Sequence, residues 1–286
     1  MSTRTTLRQS EQFARRLARS HYENFLVASI LLPRRLRQPF YNIYAFCRTA
    51  DDVADESPDP QTALRGLQTL QSQIDATFAN EPPTATFFPA LATTIATFRL
   101  DKTPFDDLLS AFRQDQRKTE YASDAELIDY CSRSANPVGR MVLSLAESLT
   151  EETAVLSDHV CTGLQLANFW QDVARDLTIG RIYLPSDRLQ KYGVEASMLH
   201  GNATPTPLRE LLEELCDEAE TRFDRGLPLA VKVPKWLAGD IRLFAHGGKQ
   251  TLRAIRDIDY DVLRIRPTVG KMKQLRLVAR AMFGLL

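Results

Sequence analysis

Two sets of aspartates, each spaced four residues apart in apolar surroundings, are the residues of this chain best suited to chemistry. The first lies in Asp51-Asp52-Val53-Ala54-Asp55 and the second in Asn168-Phe169-Trp170-Gln171-Asp172-Val173-Ala174-Arg175-Asp176. On a helix, residues four apart share a face and stand one turn, about 6 Å, apart. Asp51 with Asp55, and Asp172 with Asp176, thus form carboxylate pairs, and Asn168 adds an amide oxygen one turn before Asp172. Carboxylates set in apolar helices need a partner, and a hard divalent cation is one that fits. Mg²⁺ takes oxygen ligands only, usually one or two carboxylates plus phosphate oxygens. Arg48 precedes Asp51 by one turn, and Arg175 and Arg181 flank the second set. Guanidinium groups bind phosphate oxygens in pairs. Carboxylates to hold metal and arginines to hold an anion are the parts that make diphosphate a leaving group. A solvated face pairing aspartate with arginine has the same spacing, but Phe169, Trp170 and Val173 crowd the second set with apolar groups.

Other chemistries lack their signatures. The 4 histidines are isolated, which disfavours zinc. No P-loop, G-x-G-x-x-G or G-x-S-x-G occurs. With 36 basic and 36 acidic residues the chain has no overall basic footprint for nucleic acid. The 4 cysteines show no C-x-x-C spacing, and no apolar leader or membrane-length run is found, so the expectation is a cytoplasmic protein with reduced thiols.

The elements that must position the aspartates read as helices almost throughout. Ile43, Phe46, Cys47 and Ala50 make an apolar stripe leading into the first set. Glu56-Ser57-Pro58-Asp59-Pro60 ends that helix. Leu64, Leu67 and Leu70 mark a second helix over residues 61–77. Ser123-Asp124-Ala125-Glu126 has the spacing of a capping box that opens a helix, and Pro137 interrupts that helix. One long helix is expected over residues 150–177, carrying the whole second set, with others over 207–229 and from Pro234. No strand alternation or linker stands out, so residues 1–286 read as one all-α domain.

The motifs around the aspartates resemble a known family. Tyr44-Ala45-Phe46-Cys47-Arg48 before the first set, and Gly180-Arg181-Ile182-Tyr183-Leu184-Pro185 after the second, are similar to the two signatures of the squalene/phytoene synthases. Tyr130-Cys131 and Asn136-Pro137-Val138-Gly139 stand where family members carry a kinked pocket helix. The resemblance implies a class I isoprenoid-synthase fold, a helical bundle with a central cavity. It implies two or three Mg²⁺ ions bridging a prenyl diphosphate, with Asp51, Asp55, Asn168, Asp172 and Asp176 as metal ligands. Arg48 and Arg181 would bind diphosphate, with Tyr44 on the same face and Tyr183 near the ionising centre. Asp115 is a weaker candidate.

Three segments resemble a bacterial branch of the family, in hopanoid biosynthesis, that takes presqualene diphosphate to hydroxysqualene. They are Ser20-His21-Tyr22-Glu23-Asn24-Phe25, Ser134 to Arg140, and Asn168 to Asp172. That reading adds Glu23, Asn24, Asn136 and Trp170 as substrate-pocket residues, with Phe25, Tyr41 and Phe169 as aromatic walls and Ala135, Gly139 and Ala167 leaving room for prenyl chains. No NADPH is expected, because water rather than hydride would end the reaction. The alternatives are synthases that condense two prenyl diphosphates to presqualene diphosphate, squalene or phytoene, and a non-enzymatic assembly factor of the same fold. Residues 267–286 alternate Lys271, Lys273, Arg276 and Arg280 with Met272, Leu275, Leu277, Val278, Met282 and Phe283, a basic amphipathic pattern that can rest on the inner face of a membrane; pathway enzymes are further expected partners.

Overall fold

The structure, a computed structural model, describes residues 6–20, 32–82, 86–270 and Arg280. The described residues are helical, apart from turns and an isolated bridge between Glu120 and Ile182. No described helix is long and apolar enough to cross a membrane. Contacts divide the chain into two compact units, described in turn.

The unit within Met1–Arg117 and Pro137–Ala154 is built around α2 (Arg34–Asp55). Helices α1 (Leu7–Ser20), α3 (Pro60–Phe78), α4 (Phe88–Phe98) and α5 (Thr103–Asp115) all pack on α2. Of the stripe predicted from Ile43, Phe46, Cys47 and Ala50, all but the partly exposed Cys47 are buried, joined by Phe40 and Ala54. Phe105 of α5 is fully buried, with Phe46 edge-on at 5.0 Å and Phe78 at 5.8 Å. Asn42 ties three helices: its Nδ2 donates to the Ala90 carbonyl at 3.1 Å and to Thr94 Oγ1 at 2.9 Å, and Ala90 N–H donates to Ser10 Oγ at 3.0 Å. Asp59 caps α3 by accepting from Thr62 N–H at 2.9 Å, which sets where the chain turns after the first aspartates. Gly66 then lets α3 approach that turn: a Cβ there would lie 2.6 Å from Val53 Cγ1.

The other unit lies within Lys118–Asn136 and Val155–Leu286. It holds α6 (Asp124–Ser134), most of α8 (Glu151–Gln171), α9 (Val173–Thr178), α10 (Ser186–Lys191), α11 (Thr206–Gly226) and α12 (Lys235–Asp257). One half of the predicted capping box forms on α6: Glu126 N–H donates to Ser123 Oγ at 3.4 Å, while the Glu126 carboxylate accepts from Ala122 N–H at 2.6 Å, one residue before the N-cap N–H that a full box would use. Helix α6 stops at Ser134, and α7 (Asn136–Leu145) restarts with Pro137 in its first turn, where the missing proline N–H costs no helical hydrogen bond. Phe223 of α11 lies against Gly163 of α8 and Gly248 of α12, where a side chain on either glycine would collide with its ring. Gly226 brings the end of α11 onto α8, since a Cβ there would meet Val160 Cγ2 at 2.5 Å and the Leu156 carbonyl at 2.9 Å. The single helix expected over residues 150–177 is broken at Asp172, whose φ of −105° and ψ of 16° depart from helical values.

Candidate functional site

The first aspartate set occupies the last turn of α2. Asp51 is half-buried, and burial followed by the like charge of Asp55 pushes its carboxyl up to about 6, against the opposing pull of Arg48. Arg48 lies along the same face, 3.0 Å from Asp51 Oδ2 and 2.5 Å from Asp52 Oδ1, and reaches Glu56 at 3.4 Å. Its buried Nε has no hydrogen-bond partner among the described residues. Tyr44, one turn before Arg48, has its hydroxyl raised above the ordinary range, by burial first, with Arg48 opposing. Cys47 is not a reactive thiol here: burial pushes it up to about 12.

The second set spans the α8–α9 break. Asn168 is exposed, Asp172 N–H donates to the Asn168 carbonyl at 2.9 Å, and Asp176 N–H donates to the Asp172 carbonyl at 2.9 Å. The three side chains therefore keep helical succession despite the bend. Gly180, at φ 73°, turns the chain so that Arg181 N–H donates to the Asp176 carbonyl at 2.9 Å. Tyr183 comes next, nearly buried, with its ring stacked on Phe169 at 3.8 Å and 8°. Tyr121 at 5.7 Å and Tyr130 at 6.1 Å complete an aromatic group around Tyr183.

A residue invisible to sequence reasoning completes this set. Arg266 grips Asp172 with two hydrogen bonds, Nε to Oδ1 at 2.6 Å and NH2 to Oδ2 at 3.1 Å. Its segment is pinned on both sides. Buried Asp261 accepts from Thr204 N–H at 2.9 Å and pairs with Arg264 at 2.9 Å, and Gln171 Nε2 donates to the Pro267 carbonyl at 2.7 Å. These contacts hold residues 261–267 against the helix break at Asp172. Spacing could not have found Arg266, because 94 residues separate it from Asp172.

The other predicted positions fall differently. Asn136 is buried and accepts from Thr162 Oγ1 at 2.9 Å, so its carbonyl oxygen joins α7 to α8. Trp170 is fully buried, about 200° around α8 from Asn168, and its Nε1–H has no hydrogen-bond partner among the described residues. Asp115 is buried near the end of α5. Glu23, Asn24, Phe25 and His21 lie outside the described residues, as does most of the basic segment after Gly270.

The donors present fit Mg²⁺. Both sets offer oxygen ligands alone, and in each a guanidinium already rests on a carboxylate that a metal ion would take. No three acidic, His or Cys side chains form a ready-made metal cluster among the described residues. An ion held by one or two carboxylates and completed by phosphate oxygens needs none.

Comparison with known proteins places this geometry. The chain is 36% identical over 220 residues to the hydroxysqualene synthase of Rhodopseudomonas palustris, covering 76% of this chain and 73% of that one. It is 31% identical over 204 residues to the presqualene diphosphate synthase of the same organism, covering 70% and 71%. A crystal structure of squalene synthase HpnC from Alicyclobacillus acidocaldarius matches with a TM-score of 0.85 at 41% identity, over 91% of this chain and 98% of that one. The fold is thus the all-helical isoprenoid-synthase fold. The family model for squalene/phytoene synthase matches residues 18–273, a span that holds both aspartate sets, Arg48, Arg181 and Tyr183, and the chain belongs to that family.

Proposed function

We propose that the protein converts presqualene diphosphate to hydroxysqualene. One observation carries the chemistry: each aspartate set is an all-oxygen donor group with a guanidinium seated on a carboxylate, a surface built for cations and for the anion they carry. The choice of reaction within the family is supported by the 36% identity to hydroxysqualene synthase over most of both chains. In this reading residues 1–286 act as one catalytic domain, and both aspartate sets serve the same diphosphate, as family membership implies.

Mg²⁺, when bound by Asp51 and Asp55 and by Asn168, Asp172 and Asp176, supplies Lewis-acid stabilisation of the departing diphosphate. Arg48 and Arg181 hold diphosphate oxygens and neutralise the charge that develops as the C–O bond breaks. Leaving of diphosphate generates a cyclopropylcarbinyl cation in the substrate. Tyr183 and Phe169 cover each other's inner faces at 3.8 Å, so an outward face of this pair would offer negative π density to that cation, while the pair helps to exclude bulk water. The rearranged cation takes the oxygen of one water, the C–O bond forms, and a proton leaves to solvent. Carbon undergoes no net reduction, so no NADPH is consumed. Glu23 and Asn24 remain the proposed residues for placing that water.

The second reading is condensation of two prenyl diphosphates to presqualene diphosphate, favoured by the 31% identity to presqualene diphosphate synthase. Purified protein with Mg²⁺ and presqualene diphosphate, without NADPH, is expected to yield hydroxysqualene. Consumption of farnesyl diphosphate alone, with presqualene diphosphate accumulating, would establish the second reading instead. The basic segment over residues 267–286 is proposed to rest on an anionic membrane; equal liposome co-sedimentation by full-length and truncated chains would remove that role.

A further inference from the structure

A cavity of about 240 Å³ lies between α6, α8 and α11, on the side of α8 opposite Asn168. Its charges are unequally matched. Asp124 and Glu218 line it, but Arg188 holds both, the second through NH2 at 2.7 Å. Arg222 and Arg225 also line it, one turn apart on α11, and neither has a carboxylate within ion-pair distance among the described residues. Arg222 is half-buried, and burial pulls its guanidinium below the ordinary arginine range against the fields of Cys131 and Glu218. Burial, then Arg222 and Arg225, hold the nearby His159 below its usual range as well. Two close guanidiniums, one of them partly desolvated, have no carboxylate in direct contact among the described residues: Glu218 and Asp124 act on Arg222 only at longer range, each being held by Arg188. The remaining walls are apolar, from Leu127, Leu166, Leu215 and the ring of Trp170.

We propose that this cavity binds a small oxyanion of the diphosphate class. Arg222 and Arg225 would grip its oxygens in paired hydrogen bonds, and the Thr221 hydroxyl, which lines the same cavity, adds a further polar group. The space holds roughly eight waters and falls below the range of about 300–1,000 Å³ that encloses larger ligands. The space is too small to bury a fifteen-carbon prenyl chain whole, while inorganic diphosphate or a five-carbon prenyl diphosphate fits, its stem along the leucines. The site uses no residue of the aspartate sets, so it stands whichever reaction the enzyme performs.

The chain has 2 tryptophans, so Trp236→Phe leaves Trp170, in the cavity wall, as the only indole reporter. Trp170 emission is followed while inorganic diphosphate or 3-methylbut-2-enyl diphosphate is titrated in EDTA at fixed ionic strength, with sulfate as control. A saturable change with either probe is expected, weakened at least tenfold when Arg222→Gln and Arg225→Gln are added and retained when Arg181→Gln is added. Far-UV circular dichroism establishes that each variant is folded. The proposal is overturned by no saturable change with either probe, by an equal response to sulfate, by unchanged affinity in the Arg222/Arg225 variant, or by loss in the Arg181 variant.

Discussion

Asp240 gives the sharpest quantitative prediction. It lies on α12, is 2% exposed, and its Oδ1 has no hydrogen-bond partner among the described residues. Burial alone pushes its carboxyl up to about 8. In the unfolded chain the same group titrates near 3.9. Between about pH 4 and pH 8 the folded protein therefore keeps a proton that the unfolded chain releases. Stability from this group is fully present below the unfolded value and is lost as pH rises through the folded one. The slope is about −1.4 kcal/mol per pH unit. Asp240→Asn keeps the shape and removes the titration. By pH 7 the variant should exceed the parent by about 4 kcal/mol relative to their difference at pH 4. Urea unfolding of both proteins from pH 4 to 8 measures this, and subtracting one curve from the other cancels every other titrating group. A difference that stays flat across that range would refute the reasoning, because it would mean that the carboxyl is ionised in the folded state.

Three further outcomes concern the aspartate sets and the packing beside them. Asp51→Asn and Asp172→Asn should each lower Mg²⁺-dependent diphosphate release by roughly 100-fold or more with an unchanged far-UV spectrum; near-parental rates in both would remove the metal assignment. Arg266→Gln frees the Asp172 carboxylate, so Mn²⁺ binding to the substrate-free protein, read by electron paramagnetic resonance, should tighten by about fivefold or more, the scale of a pair exposed on its arginine side only; weaker binding would show that Arg266 supports the site instead of competing for it. Gly66→Ala should destabilise by about 1–3 kcal/mol, because the new methyl meets Val53 at 2.6 Å. Adding Val53→Ala should recover part of that loss in thermal unfolding, and no recovery would contradict the packing argument.

Much of this architecture was legible because its determinants are local. The α2 stripe and the Ser123 cap depend on spacings of three or four residues; the stripe is buried except at Cys47, and Ser123 caps α6 while Glu126 reaches Ala122 instead of Ser123. Both aspartate sets likewise sit on helical turns whose spacing could be counted. The family signatures Y-A-F-C-R and R-I-Y-L-P carried the fold, which periodicity alone could place no closer than all-α. What could not be read is non-local. Arg266 meets Asp172 only because Asp261 and Pro267 are tied down far along the chain. The bend at Asp172 has no proline or glycine to announce it; it occurs where neighbouring side chains bind that segment. Tyr121 was missed because its place beside Tyr183 depends on a loop contact, Ile182 N–H to the Thr119 carbonyl at 2.7 Å. Trp170 was read from its neighbours in sequence, yet helix geometry turns it away from Asn168 towards Arg222 and Arg225.

The central claim is that diphosphate leaves carbon and water replaces it. The most direct test is the reaction of presqualene diphosphate with the Mg²⁺-loaded protein in ¹⁸O-water without NADPH, with the product read by mass spectrometry. The account predicts hydroxysqualene carrying one ¹⁸O in its hydroxyl group, with unlabelled carbon–oxygen bonds absent. An unlabelled alcohol would mean that the bond to phosphorus was cut instead, and a product with no hydroxyl would mean that the cation is not captured by water; either result would contradict the account.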